Sequence, residues 1–212
     1  MKRTILLCSL LLSNFSHAST PINGWYSEAF GGYAYLPNNL NTPYSSLYRS
    51  NALYNAGYNA GGSIGFKSNP MRYEGELTYI SANLQKFQIN NVQQTGVNGY
   101  THAFTALANV YYDFPNLVNA LQPFLGVGVG YGLVNAHINS TGPLGSTQYS
   151  GSSNVLAYQG TGGITYNFSE SYALNLGYRY VITTHVNSTG RIFQAQLANL
   201  GAVYRFDGKS YK

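Results

Sequence analysis

The sequence predicts an all-β chain: eight antiparallel strands closed into an up-and-down transmembrane β-barrel. Three observations predict it. Charged residues make up only 8% of the 212-residue chain while 15% are aromatic, far from the quarter charged of an ordinary soluble domain and too aromatic for disorder. Apolar and polar residues alternate with a period of two over segments of about ten residues, the pattern of strands with one apolar and one polar face. The charges on those segments all fall on the polar face. The only apolar run near the length of a membrane helix is at the N-terminus, and it is short of the roughly 18 residues a crossing needs.

The N-terminus reads as an export address. Lys2 and Arg3 form a basic start, Thr4 to Leu12 an apolar core, and Ser16-His17-Ala18 a small-residue cleavage site, so 1–18 is expected to be a cleaved signal peptide. The barrel is then expected over 19–206, with 207–212 as a short periplasmic tail. Cys8 lies in the leader and is the chain's one cysteine, which leaves the mature segment no disulfide framework and no thiolate site.

The strands are expected near 24–36, 55–67, 71–83, 100–114, 122–134, 154–168, 171–181 and 191–206. In the third, Arg72, Glu74, Glu76 and Thr78 oppose Tyr73, Gly75, Leu77 and Tyr79. In the sixth, Gln159, Thr161, Thr165 and Asn167 oppose Tyr158, Ile164, Tyr166 and Phe168. The seventh sets Asn175, Gly177 and Arg179 against Tyr172, Leu174, Leu176, Tyr178 and Tyr180. The last sets Asn199, Gly201, Val203 and Arg205 against Leu200, Ala202, Tyr204 and Phe206. Connections alternate in length. Those at 68–70, 115–121 and 169–170 are short; 37–54, 84–99, 135–153 and 182–190 are longer and polar, and are expected to be loops. Short turns at one end and long loops at the other are the pattern of an outer-membrane barrel.

Sidedness separates a membrane barrel from a soluble one. Glu28, Arg72, Glu74, Glu76, Asp113, Arg179 and Arg205 lie on strands, all on the polar, glycine-containing face. An Arg or Lys facing mid-bilayer lipid costs roughly 2–4 kcal/mol, whereas a soluble barrel shows its charges to water. The uncharged face therefore meets lipid. Trp25-Tyr26, Tyr111-Tyr112 and Tyr204 are expected near one membrane interface, with Tyr33, Tyr35, Tyr79 and Tyr131 near the other, as aromatic anchors.

Trp25-Tyr26, Arg72-Tyr-Glu-Gly-Glu76, Asn109-Val-Tyr-Tyr-Asp-Phe114, Pro123-Phe-Leu-Gly-Val-Gly-Val-Gly-Tyr131, Leu176-Gly-Tyr-Arg-Tyr180 and Val203-Tyr-Arg-Phe206 together resemble the small eight-stranded opacity/OmpA-like outer-membrane barrels, over essentially the whole mature chain. The resemblance implies a surface protein whose barrel is a scaffold for four outer loops, and a monomer. It also implies that Tyr204 and Phe206 form the terminal aromatic signal read by the barrel-assembly machinery.

An eight-stranded barrel is just wide enough for side chains to fill. The seven strand charges are accordingly expected to form a salt-bridged plug, with a narrow porin-like channel as the alternative. Gly126, Gly128, Gly130 and Gly132 lack the following helix and distant acid of a dinucleotide loop; they are expected to keep one lumen face small. His102, His137 and His185 map to the outer rim, the last two in repeats of His-x-Asn-Ser-Thr-Gly. They are either turn sequence or a rim site for a metal or haem. A rim lipid hydrolase would need a carboxylate to orient its histidine, and no Asp or Glu falls in an expected outer loop, so neither catalysis nor a cofactor is expected. Arg49, Lys86 and Arg191 could meet lipopolysaccharide phosphates or an acidic host or environmental ligand. Scattered basic residues give no nucleic-acid surface.

Overall fold

Pleated backbone sends successive side chains to opposite faces, so a period-two sequence becomes a two-faced strand. The computed structural model describes residues 23–37, 43–45, 48–89, 92–93, 95–117, 120–142, 145–186 and 191–206. The expected leader at 1–18 and tail at 207–212 lie outside the described residues. The strands are β1 (Gly24–Tyr35), β2 (Pro43–Ser45), β3 (Tyr48–Tyr54), β4 (Gly57–Ser68), β5 (Met71–Ile89), β6 (Val92–Gln93), β7 (Thr95–Asp113), β8 (Leu121–Gly142), β9 (Gly145–Asn167), β10 (Tyr172–Val186) and β11 (Arg191–Arg205).

Eight of them close a ring. β1, β4, β5, β7, β8, β9, β10 and β11 pair antiparallel in that order, and β1 returns to β11 from Tyr26↔Arg205 to Tyr35↔Gln196. Closure removes the unpaired edges that an open sheet would expose within a membrane. β2, β3 and β6 stand outside the ring as short additions, β3 and β6 pairing with the far end of β5.

The structure corrects the expected connections at the long-loop end. Much of 84–99 and 135–153 is strand, not loop. β8 and β9 stay paired from Leu121↔Tyr166 to Gly142↔Gly145. A tilted strand crosses the bilayer in about 9–11 residues, so these strands of 22 and 23 residues overshoot it. At about 3.4 Å per residue and a tilt near 40°, the excess of about twelve residues stands roughly 30 Å beyond the apolar band. Asn, Ser, Thr and Gly read as loop formers, but hydrogen bonding to a neighbouring strand outweighs that weak preference once the register is set.

The outer wall is apolar as expected. Val127 is 69% exposed, Leu176 64% and Ile64 62%, while every one of the seven strand charges is buried. Two aromatic placements need correction. Tyr26 and Tyr111 point into the lumen and are each only 2% exposed, because they share parity with Glu28 and Asp113. The lower girdle is instead Trp25 against Phe66, Tyr112 against Phe114, and an edge-and-stack chain through Phe168, Tyr172, Tyr204 and Phe206.

Candidate functional site: the filled lumen and its rim

The inward faces divide the lumen into two halves. Toward the short turns, Arg72 reaches across the barrel floor. Its Nε donates to Asp113 Oδ1 at 2.8 Å and its Nη1 to Glu74 Oε1 at 3.2 Å. Its guanidinium lies 4.8 Å from the ring centres of both Tyr111 and Phe124, a cation–π setting in which Arg is favoured. The Tyr26 hydroxyl donates to Glu74. Lys67 Nζ donates to Asp113 Oδ2 at 2.6 Å and to Gln122 at 2.9 Å.

A second cluster sits higher. Glu76 accepts from Thr78 Oγ1 at 2.7 Å, Asn109 Nδ2 at 2.9 Å and Gln159 Nε2 at 3.2 Å. Arg179 pairs with Glu76 at 3.8 Å and covers the Phe30 ring at 3.8 Å. Glu28 accepts from Asn175 Nδ2 at 3.0 Å; back on the floor, beside Lys67 and Asp113, Arg205 donates to Asn167 Oδ1 at 2.6 Å and to the Glu170 carbonyl at 3.3 Å.

All seven expected charges thus point inward, but they do not meet as one plug of carboxylate–arginine pairs. Arg205 bonds amide and carbonyl oxygens, and Glu28 is held by an asparagine. Lys67, 3% exposed, is a member that the sequence reading missed. Ser63 and Gly65 share its parity on β4, so the same alternation points to it. With Lys67 included, Lys67, Arg72, Arg179 and Arg205 balance Glu28, Glu74, Glu76 and Asp113. Burying charges is tolerable when each is paired or multiply hydrogen-bonded.

The glycines of β8 do what their alternation predicts. A Cβ at Gly126 would meet the Tyr111 ring at 2.1 Å, and one at Gly128 would meet Asn109 Oδ1 at 1.8 Å. These glycines leave the space in which Arg72's aromatic neighbour and Glu76's amide donor sit.

Toward the long hairpins the lumen becomes hydrocarbon. Leu36, Ile80, Val134, Val155, Val181, Val186, Phe193 and Leu197 pack into one cluster. The parity rule assigned the inward face as polar throughout, and the structure corrects it for this half. Two cavities among the polar residues each leave about 10 Å³ for a water centre, the room of one water. Arg72 Nη2, Arg179 Nε, Glu74 Oε2, Thr161 Oγ1 and Asn199 Oδ1 have no protein hydrogen-bond partner there.

At the rim, His102 and His137 lie on neighbouring strands β7 and β8, with the Tyr100 ring between them, tilted against His102 and stacked on His137. His185 lies on β10, with β9 intervening. Among the described residues no three His, Cys, Asp or Glu side chains gather as a metal site. Lys86 is exposed on the far part of β5; the side chains of Arg49 and Arg191 lie outside the described set. Tyr204 and Phe206 point outward in edge contact at 5.3 Å, and the Phe206 amide donates to the Trp25 carbonyl at 2.9 Å.

A closed antiparallel barrel with hydrocarbon outside, charge inside and short turns at one end is an integral outer-membrane protein. The chain belongs to the outer membrane protein beta-barrel domain family, whose model matches residues 4–206. Its fold is similar to that of Neisserial surface protein A, at 17% identity and a TM-score of 0.54, with 86% of this chain and 97% of that chain covered. It is also similar to the outer membrane protein OprG from Pseudomonas aeruginosa, at 10% identity and a TM-score of 0.55, with 88% and 98% covered. Comparison with curated proteins finds no match by sequence.

Proposed function

We propose that this protein is a surface scaffold: a filled barrel that holds extended hairpins outside the cell to contact host or environmental ligands. The observation that carries the reading is the contrast between the two ends of β8 and β9. Below, the lumen is packed with paired charges and capped by hydrocarbon; above, the paired strands run far past the bilayer. A hydrated ion entering the lumen would have to displace the Leu36–Phe193 cluster and then break ion pairs, so the barrel is not a porin. A scaffold role asks for neither catalysis nor a cofactor, and among the described residues no carboxylate is hydrogen-bonded to His102 or His137. Residues 1–18 direct export, Tyr204 and Phe206 are read during assembly, and the barrel works as a monomer among outer-membrane lipids and lipopolysaccharide.

The mature segment lacks cysteine, which makes single-cysteine labelling clean. Gln148→Cys on the β9 extension should react with a membrane-impermeant maleimide on intact cells, and Ser169→Cys in the short turn should not. Cells in which 138–149 are replaced by a two-residue turn, which keeps His137 opposite Ser150, should lose adhesion to a host cell layer while keeping a heat-modifiable barrel. Stable, ion-selective openings in planar bilayers, or unchanged adhesion in the trimmed variant, would reject the scaffold reading.

A further inference from the structure

The outer wall carries a feature that the scaffold role does not use. Across four adjacent strands runs an unbroken row of rings: Tyr58 on β4, Tyr79 on β5, His102 and Tyr100 on β7, and His137 on β8. Tyr58 and Tyr79 are 6.2 Å apart, Tyr79 stacks on His102 at 5.6 Å, His102 lies 4.5 Å from Tyr100, and Tyr100 stacks on His137 at 5.5 Å. All face outward, since their chain neighbours Thr78, Ile80, Thr101, Ala103 and Ala136 are buried in the lumen.

The imidazoles are held in place. The Tyr79 hydroxyl is hydrogen-bonded to His102 Nδ1 at 2.8 Å, and Asn139 Nδ2 donates to His137 Nε2 at 3.2 Å. His102 Nε2 and His137 Nδ1 are the ring nitrogens not engaged by these bonds. A polar nitrogen facing acyl chains without a partner is costly, so the height of the row decides what it meets. Ser81, paired with His102, is ten residues beyond Met71 at the start of β5. That places His102 roughly 26 Å up the wall at about 3.4 Å per residue and 40° tilt. The apolar band of such barrels is about 25 Å tall. The row therefore starts at the upper headgroup level with Tyr58, Tyr79 and His102 and climbs through Tyr100 to His137 on the β8 extension, beyond the end of the lipid-facing wall.

From this we propose that the Tyr58–Tyr79–His102–Tyr100–His137 row is a binding site for the phosphorylated disaccharide headgroup of the outer-leaflet glycolipid. The tyrosine faces offer flat apolar surface to the sugar rings, and the free nitrogens of the two imidazoles, His102 Nε2 and His137 Nδ1, offer N–H donors to a phosphate, bonds made charge-assisted by the anion. A plain aromatic girdle needs only Trp or Tyr at this height; the paired imidazoles braced by Tyr79 and Asn139 are what a phosphate adds. The site rests on the long hairpins facing outward, which the Gln148→Cys labelling reads separately.

The test is native mass spectrometry of the full chain released from phosphatidylcholine nanodiscs doped with diphosphoryl lipid A, dephosphorylated lipid A or phosphatidylglycerol. Wild type should retain diphosphoryl lipid A about tenfold better than the dephosphorylated form, the worth of one charge-assisted hydrogen bond. His102→Phe/His137→Phe keeps the stack but should lose that preference, whereas Tyr158→Phe/Tyr178→Phe elsewhere on the wall should keep it. If the double variant does not fold by heat-modifiability, His137→Phe alone should reduce the preference about threefold. Equal retention of phosphatidylglycerol, an undiminished preference in the histidine variants, or a lipid-free dimer through this wall would overturn the proposal.

Discussion

Replacing Arg72 by Met tests the lumen network where its energetics are sharpest. Met keeps an apolar stem between Tyr111 and Phe124 but removes the guanidinium that bonds Asp113 at 2.8 Å and Glu74 at 3.2 Å. The loss falls unequally. Asp113 keeps Lys67 at 2.6 Å, so its charge stays compensated. Glu74 keeps only the Tyr26 hydroxyl as a donor. Removing one partner of a buried ion pair costs about 3–5 kcal/mol, and here nearly all of it resides in Glu74. Arg72→Met/Glu74→Met removes the stranded carboxylate as well and should recover more than half of that loss. The assay is urea unfolding in lipid vesicles followed by Trp25, the only tryptophan, which stands 60% exposed in the lower girdle. A single-variant loss under about 1 kcal/mol, or a double variant equal to the sum of the singles, would refute the account of the floor as a coupled network.

Gly130→Ala should destabilise the barrel by about 1–3 kcal/mol, because its Cβ would meet the Ala106 carbonyl oxygen, a backbone atom, at 2.0 Å; Gly160→Ala, with nothing within 4 Å, should leave the urea midpoint unchanged. Leu176→Arg, on the lipid face, should cost roughly 2–4 kcal/mol in vesicles, while Ser169→Arg in the short turn should be neutral in the same titration. Tyr204→Ala/Phe206→Ala should lower the amount of folded protein in outer-membrane fractions severalfold while shifting the refolded protein's urea midpoint far less. Equal losses in both measurements would make the pair structural only.

Individual residues show what was readable in advance. Glu74 and Tyr73 were assigned to opposite faces by parity alone, and the structure agrees, because pleating is local and needs no tertiary information. Lys67, the last residue of the expected strand 55–67, obeys the same rule. The apolar upper lumen was not legible: Ile80 and Val181 on an inward face look the same in sequence as residues on an outward one. Only a closed ring shows that they meet Phe193 and seal the tube. The β8–β9 extension was unreadable for a related reason. Its Ser, Thr, Asn and Gly residues carry turn propensity, and pairing with a partner strand overrides it.

Sequence alone settled the all-β class, the eight crossings, the membrane-facing side and the burial of the charges. Each follows from a period of two and from the cost of ionised groups in hydrocarbon. Tertiary structure alone decided which groups meet. Glu28 finds Asn175 and Glu76 finds Gln159, 147 and 83 residues away, because strand stagger around the closed barrel fixes which inward positions share a level. The ring row that His102 and His137 share with three tyrosines is set by that same stagger, which brings residues from four strands side by side on the outer wall.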